Sequence, residues 1–326
     1  MSYSIPGPDL SDVDRALMIE EYGGAVESQF AKDSIMRGFV PIRTVRGTDT
    51  ITNNRVGKTT LKKLVPGVRP EAEPTPFGKV SLTVDTVVLA RDNRSMLNDF
   101  QTHFDARAEL GMDHGKQIGK FFDQAFLIMA IKGALAAAPV LGDGTPSKQS
   151  IGAGKNVTLT AIGDETDPDK LAAAITSLIV RMEEEEIDVS ELICFVRPTR
   201  FQTLLNNNKL LSRDYAAGNG DYAKGIIYEI NGCRIEKTAR IPETEVLGHF
   251  LSNAQNGNAY DLVGTQANAV AVLLHPKSLM AGETIALESD VYFSKEEKQW
   301  FIDSWIAFGV TINRPDCCGA VFKKTS

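Results

Sequence analysis

The segment 105–139, DARAELGMDHGKQIGKFFDQAFLIMAIKGALAAAP, constrains the fold more than any other part of the chain. It predicts a single helix over 105–138, about 50 Å long at 1.5 Å per residue. Asp105 is a suitable N-cap, because its carboxylate accepts from the unpaired N–H groups of the first turn. Pro139 ends the run by forcing Ala138 out of the helical region. The second half, 121–138, is apolar nearly all round and has to be buried. The first half carries Gly111, Gly115 and Gly119 at four-residue spacing. Each costs roughly 1 kcal/mol relative to Ala in a helix interior. Either another element packs very close along that stripe, or the helix bends there.

Composition narrows the function classes. The chain has 326 residues and a net charge of −7, which argues against a dedicated nucleic-acid binder with a basic face. The first residues lack the basic and apolar regions of a signal peptide. The most apolar stretch, 125–141, is interrupted by Lys132 and too short for a membrane span, so no membrane contact is expected. Cys194, Cys233, Cys317 and Cys318 form no C-x-x-C pair and have no His at zinc-site spacing. Cys194 and Cys233 sit in apolar strand-like runs as small hydrophobes, and the compartment reads as reducing. The histidines at 103, 114, 249 and 275 are scattered, with no H-E-x-x-H and no G-x-S-x-G elbow. Gly152-Ala153-Gly154-Lys155 lacks the first Gly of a phosphate loop, and Asn156 replaces its hydroxyl residue. The acidic run 164–169 reads as a helix N-terminus rather than a calcium loop. The sequence therefore predicts no catalytic residue, no cofactor and no metal site; the chain is expected not to be an enzyme.

The remaining segments predict an α+β organisation. Residues 1–40 read as an arm: a Pro/Gly-rich start, then short helices over 13–22 and 25–35 separated by Gly23-Gly24. Neither helix is long enough to stand alone. Residues 41–80 have hairpin character, with turn signals at Asn53-Asn54, Pro66-Gly67 and the Pro70, Pro74, Pro76 series. Their middle is basic, through Arg55, Lys58, Lys62, Lys63 and Arg69. Residues 79–89 alternate as one half-buried strand and lead through a short helical turn into the long helix. Residues 169–186 form a second amphipathic helix, with Leu171, Ile175, Leu178, Ile179 and Met182 on one face. Glu183–Glu186 at its C-terminal end oppose the macrodipole, so they are a solvated face or an electronegative lining that repels DNA. A strand at 191–197, a helix at 199–206 and a hairpin about Asn231-Gly232 follow. A buried strand at 267–275 and long antiparallel strands at 283–293 and 300–312 complete the pattern.

Several motifs, in this order, resemble the major capsid protein of tailed bacteriophages, most closely that of short-tailed podophages of the autographivirus type. They are Tyr22-Gly23-Gly24-Ala25-Val26, with Phe30, Ala31 and Ser34 beyond it; Val56-Gly57-Lys58-Thr59-Thr60, followed by Leu64-Val65-Pro66-Gly67; Phe104 to Glu109 opening the long helix; and the closing run from Arg314 to Phe322. The resemblance spans about 12–322. It implies the α+β tailed-phage capsid fold, shared with encapsulins. The divisions expected from it are an N-terminal arm at 1–40, an extended loop hairpin at 41–80, and a peripheral domain at 81–149 with the spine helix at 105–138. An axial domain at 150–264, peripheral strands at 265–312 and a closing axial strand at 313–326 complete them.

The function implied is assembly of hexamers and pentamers into an icosahedral shell around double-stranded DNA. Scaffolding protein and portal act during assembly in the host cytoplasm, the packaged DNA is held without sequence-specific contacts, and the product is the virion capsid. Arm and loop would lie across neighbouring subunits, giving Arg55, Lys58, Lys62, Lys63, Arg69, Tyr22 and Phe30 as inter-subunit contacts. The glycine stripe at 111, 115 and 119 would let the spine helix bend before expansion. Some such capsids carry a loop Lys–Asn isopeptide bond, for which Lys58 or Lys62 with Asn313 are the pair here; the podophage resemblance implies a non-covalent shell. An encapsulin-type protein-cargo shell is the alternative.

Overall fold

The computed structural model describes residues 12–67, 69, 71–95, 106–211, 220–221 and 224–325. The Pro/Gly-rich start, the Asp105 cap, the helical turn before the long helix and most of the loop after 211 lie outside the described residues. Six helices are described: α1 (Asp12–Asp33), α2 (Met36–Phe39), α3 (Ala106–Leu135), α4 (Pro168–Glu183), α5 (Pro198–Leu205) and α6 (Asn208–Leu211). The strands are β1 (Ile42–Thr44), β2 (Thr50–Val56), β3 (Phe77–Thr83), β4 (Val88–Ser95), β5 (Lys155–Thr158), β6 (Ile193–Val196), β7 (Gly220–Asp221), β8 (Ile226–Ile227), β9 (Glu229–Ile230), β10 (Cys233–Lys237), β11 (Ala269–Leu274), β12 (Leu279–Ser294), β13 (Gln299–Ile312) and β14 (Cys318–Phe322).

Two sheets flank the spine helix α3. One has the order β1-β12-β13-β4, the other β5-β14-β11-β6-β10-β9. The long hairpin β12–β13 is antiparallel from Leu279 opposite Ile312 to Ser294 opposite Gln299. The apolar half of α3 touches β13 of the first sheet and β11 and β14 of the second. Ala125, Phe126, Leu127, Ile128, Ala130 and Ile131 are accordingly buried on every side. Gly133 keeps this packing close: a Cβ there would stand 2.6 Å from Cys318 Sγ.

The arm is one helix, not two. α1 runs unbroken through Gly23-Gly24 because Tyr22, Val26 and Phe30, each 1% exposed, bury one face against α3 and β12. That burial, at about 1.5–3 kcal/mol per large apolar side chain, outweighs about 1 kcal/mol of helix propensity per glycine. The glycine stripe of α3 is the seat of this helix. A Cβ on Gly111 would meet the Tyr22 ring at 3.0 Å, and one on Gly115 would collide with the Val26 carbonyl. At Gly119 the nearest atom is Asp33 Cβ at 3.5 Å, an ordinary contact.

Four further expectations are corrected. Asn53-Asn54 lie inside β2, paired with Lys79 and Val80 of β3, and make no turn. The run 79–89 is divided between β3 and β4, since at 84–87 the chain leaves the hairpin and joins the sheet of β13. The spine helix ends at Leu135, three residues short of Ala138. Residues 269–274, grouped with the peripheral strands, form β11 inside the six-stranded sheet. β11 pairs on both sides, with β14 and β6, and all six of its residues are buried. The Asn231-Gly232 hairpin forms as read: both residues have positive φ, 48° and 77°, and join β9 to β10.

Candidate interaction surface

Between β2 and β3 the chain runs out in a long loop, 57–76, without regular secondary structure among its described residues. Its base is fixed. Gly57 N–H donates to the Pro76 carbonyl at 2.8 Å, and Lys58 N–H donates to the Lys148 carbonyl at 2.8 Å. The Ser150 hydroxyl donates to the Val56 carbonyl. Asn53 Nδ2 donates to Asn313 Oδ1 at 2.9 Å, and Asn313 Nδ2 in turn donates to the Lys277 carbonyl at 3.2 Å. The Arg55 guanidinium donates to the carbonyls of Ile312, at 3.1 Å, and Asn313. Beneath the hairpin, Val45, Ile51, Val84 and Ala307 form a small apolar cluster.

The tip is unlike the base. Leu61 is 93% exposed, Leu64 71% and Val65 47%. Lys58, Lys63 and Arg69 are exposed around them. Lys62 pairs with Glu73 across the loop at 3.0 Å, and this bond holds the Glu73 carboxyl below its usual range. The loop carries Lys58, Lys62, Lys63 and Arg69 against Glu71 and Glu73, an excess of two positive charges. The tip therefore leaves a contiguous apolar surface ringed by cations unburied within the subunit.

The predicted contact residues thus divide. Lys58, Lys63 and Arg69 are presented outward, and Lys62 is tied to Glu73. Arg55 turns inward and holds the hairpin to the end of β13. Tyr22 and Phe30 are consumed within the subunit. The Tyr22 hydroxyl lies 2.6 Å from Ser304 Oγ and 2.7 Å from His114 Nδ1. His114 Nε2 lies 2.9 Å from an Asp92 oxygen, so one polar chain links arm, spine helix and first sheet. Phe30 stands edge-on to Phe122 at 5.5 Å.

Two features escaped the sequence reading. One is the apolar tip, whose signal was three hydrophobes interleaved with lysines in a stretch with no period. The other is Asp123, 1% exposed in the apolar half of α3. Its carboxylate accepts from Ser34 Oγ at 2.9 Å, Ile35 N–H at 2.9 Å and Met36 N–H at 3.1 Å. It also pairs with Arg240. A lone acid in FFDQAF was the available signal, since a buried carboxylate needs partners.

Groups that might have carried chemistry are otherwise engaged. Lys155 pairs with Glu185, and Gly154 lies against the Gly133 carbonyl, so the glycines at 152–155 serve packing. Burial pushes the thiols of Cys233 and Cys317 up to about 12, and raises Cys194 and Cys318 as well. Among the described residues no group of three or more His, Cys, Asp or Glu is placed to hold a metal ion. No helix among them is long and apolar enough to cross a membrane.

Residues 83–321 match a protein family described as Gp10A-like major capsid protein. No curated protein matches the sequence. Among solved structures, the mature capsid of bacteriophage PhiM1 is similar at 26% identity and a TM-score of 0.77, over 90% of this chain and 88% of that one. The capsid of cyanophage P-SCSP1u is similar in fold at 17% identity and a TM-score of 0.78, over 90% and 89%. A virus-like particle from Pyrococcus furiosus shares the fold at 12% identity and a TM-score of 0.53, over 93% and 98%.

Proposed function

Because the chain belongs to the Gp10A-like major capsid protein family, and is therefore a shell-forming structural protein rather than an enzyme, we propose that the loop 57–76 is the segment by which each copy grips the next. The observation that carries this is the tip: Leu61, Leu64 and Val65 bare in solvent, ringed by Lys58, Lys63 and Arg69, on a base held by six hydrogen bonds or more. A rigid base with an unburied apolar end is the form expected of a segment that completes its packing in the assembly. Loop and arm precede the residues matched by the family, so their role rests on this geometry.

On this reading, copies join as hexamers and pentamers of an icosahedral shell around double-stranded DNA. The shell is of the short-tailed podophage, autographivirus type, and is built in the host cytoplasm with a scaffolding protein and a portal. The six-stranded sheet, β14 included, forms the axial domain near each capsomer's centre. The four-stranded sheet and the spine helix form the peripheral domain. The similarity to capsids, at higher TM-scores than to the Pyrococcus furiosus particle, favours the phage shell over an encapsulin. Bending of α3 at Gly111, Gly115 and Gly119 in the precursor shell, and its straightening on expansion, belong to the same proposal. Since α1 is seated on that stripe, such a bend has to carry the arm with it.

The test is electron microscopy of the purified chain, alone and with a co-expressed scaffold. Hollow closed shells support the reading. A protein that stays monomeric at high concentration under both conditions overturns it.

A further inference from the structure

Where β6 and β10 end, the surface forms an open cleft of about 660 Å³, lined by Lys120 and Gln124 of α3, Arg197, Lys237, Thr238 and Arg240 among others. Two of the four cations are matched: Arg240 pairs with the buried Asp123, and Arg197 with Glu243 at 2.8 Å. Lys120 and Lys237 are exposed and make no ion pair among the described residues. Lys237 lies on the cleft's rim, its ammonium 5.4 Å from the centroid of the Phe201 ring, which lines the neighbouring groove. Two cations without a carboxylate partner among the described residues, Lys120 and Lys237, therefore belong to the cleft's lining, with Gln124 and Thr238 beside them. A concave site of one sign concentrates ligands of the other.

At the far side of the same sheet stands a surface of opposite sign. Glu183, Glu184 and Glu186 at the end of α4 are exposed, while Glu185 is held by Lys155 of β5. Val180, 42% exposed one turn earlier, puts an apolar spot beside the acids. Carboxylates at a helix C-terminus oppose the helix dipole, so helix stability does not explain them. β5 is the outer strand on one side of the six-stranded sheet, and β10 is next to the outer strand on the other. Four strand spacings of about 4.8 Å place them roughly 19 Å apart. A glutamate side chain spans only a fraction of that distance, so the turn cannot reach the pocket of its own subunit.

Two unlike, complementary patches on opposite sides of one subunit suit a head-to-tail contact, which generates a ring when its rotation closes. We propose that the Lys120/Lys237 pocket is a carboxylate-binding site whose occupant is the Glu183–Glu186 turn of a second copy. This rests on the shell-forming reading above and assigns it a contact separate from the loop 57–76. The glutamates bind the ammonium groups of Lys120 and Lys237, the latter swinging from the Phe201 ring, with Gln124 and Thr238 as additional hydrogen-bonding partners. High salt weakens the contact, since its charges are solvent-accessible before docking.

The test uses the full chain and measures shell yield by sedimentation and electron microscopy for K120E/K237E, for E183K/E184K and for the four substitutions combined. All four positions are exposed, and a thermal melt of each unassembled protein verifies that it folds. Each pair alone is expected to lower shell yield about tenfold or more, as close charge pairs at an interface do when reversed. The combined variant, in which every copy carries both reversed patches, is expected to recover most of it. Wild-type yield from E183K/E184K overturns the proposal, and does so also if K120E/K237E is defective, because the pocket then takes another anion such as a phosphate. Loss in both pairs without recovery in the combination overturns it too. Failure of the wild-type chain to form shells at all refutes the shell-forming reading, and this contact with it.

Discussion

The Val26 carbonyl of the arm helix sits where a Cβ on Gly115 of the spine helix would have to be. Replacing Gly115 with Ala is therefore expected to push α1 off α3 and destabilise the subunit by about 1–3 kcal/mol, the usual cost of overpacking. Gly119→Ala, where contact is ordinary, is expected to stabilise by up to about 1 kcal/mol through helix propensity. Gly111→Ala falls between them, because the Tyr22 ring it meets is able to shift. Chemical denaturation of the unassembled subunits measures all three. Equal effects at 115 and 119 would show that the stripe is not a seat for the arm.

Removal of the Asp123 carboxylate tests the anchor at the arm's end. Asp123→Ala strands Arg240, the Ser34 hydroxyl and the N–H groups of Ile35 and Met36. A loss of about 3–5 kcal/mol is expected, as for other buried pairs cut on one side. Arg240→Met in the same background removes the stranded charge and is expected to recover part of the loss.

These two sites show what the sequence made legible. The spine helix was plain because an all-round apolar run ended by a proline has few other solutions, and 30 of its 34 expected residues are helical in the structure. The arm was read as two pieces because Gly23-Gly24 is a local break signal, whereas the face that overrides it is supplied by α3, far away in sequence. The alternation at 79–89 gave the side-chain period but not the change of partner from β2 to β13. The strand β11 did carry its own signal: AVAVLL is apolar at every position, as a strand buried on both faces should be. Of the expected contacts, the exposed lysines of the loop were legible from composition. The inward turn of Arg55 was not, since its carbonyl acceptors lie at 312–313.

Charge and apolar tip are separable in the loop. Leu61→Ser with Leu64→Ser is expected to leave the subunit's melting temperature within about 0.5 kcal/mol equivalent, because exposed positions contribute little to stability. The same pair is expected to reduce shell yield severalfold. Lys58→Glu with Lys63→Glu should do likewise, whereas Arg55→Glu should also destabilise the subunit by losing its bonds to Ile312 and Asn313. Sedimentation beside thermal melts distinguishes these outcomes.

His249 gives a pH signature. Burial between Phe121 and Tyr260 lowers its pKa from 6.5 to about 4, against a smaller upward pull from the Asp261 carboxylate. The folded value lies below the unfolded one, so the unfolded chain takes the proton first as the pH falls. This contribution to stability is complete above pH 6.5 and is lost progressively down to about pH 4. Carboxylates held low, such as Asp164 and Asp261, add their own losses at lower pH in any variant. His249→Phe, which retains the ring stack, is expected to flatten the stability profile between pH 6.5 and 4 relative to wild type.

The central claim is that the loop 57–76 completes its packing on another copy. A reconstruction of the assembled shell at side-chain resolution tests it most directly. Leu61 and Leu64 buried against a neighbouring subunit, with Lys58 or Lys63 within salt-bridge distance of its carboxylates, is the expected result. A loop folded back on its own subunit, or still bare in solvent in the closed shell, would contradict it.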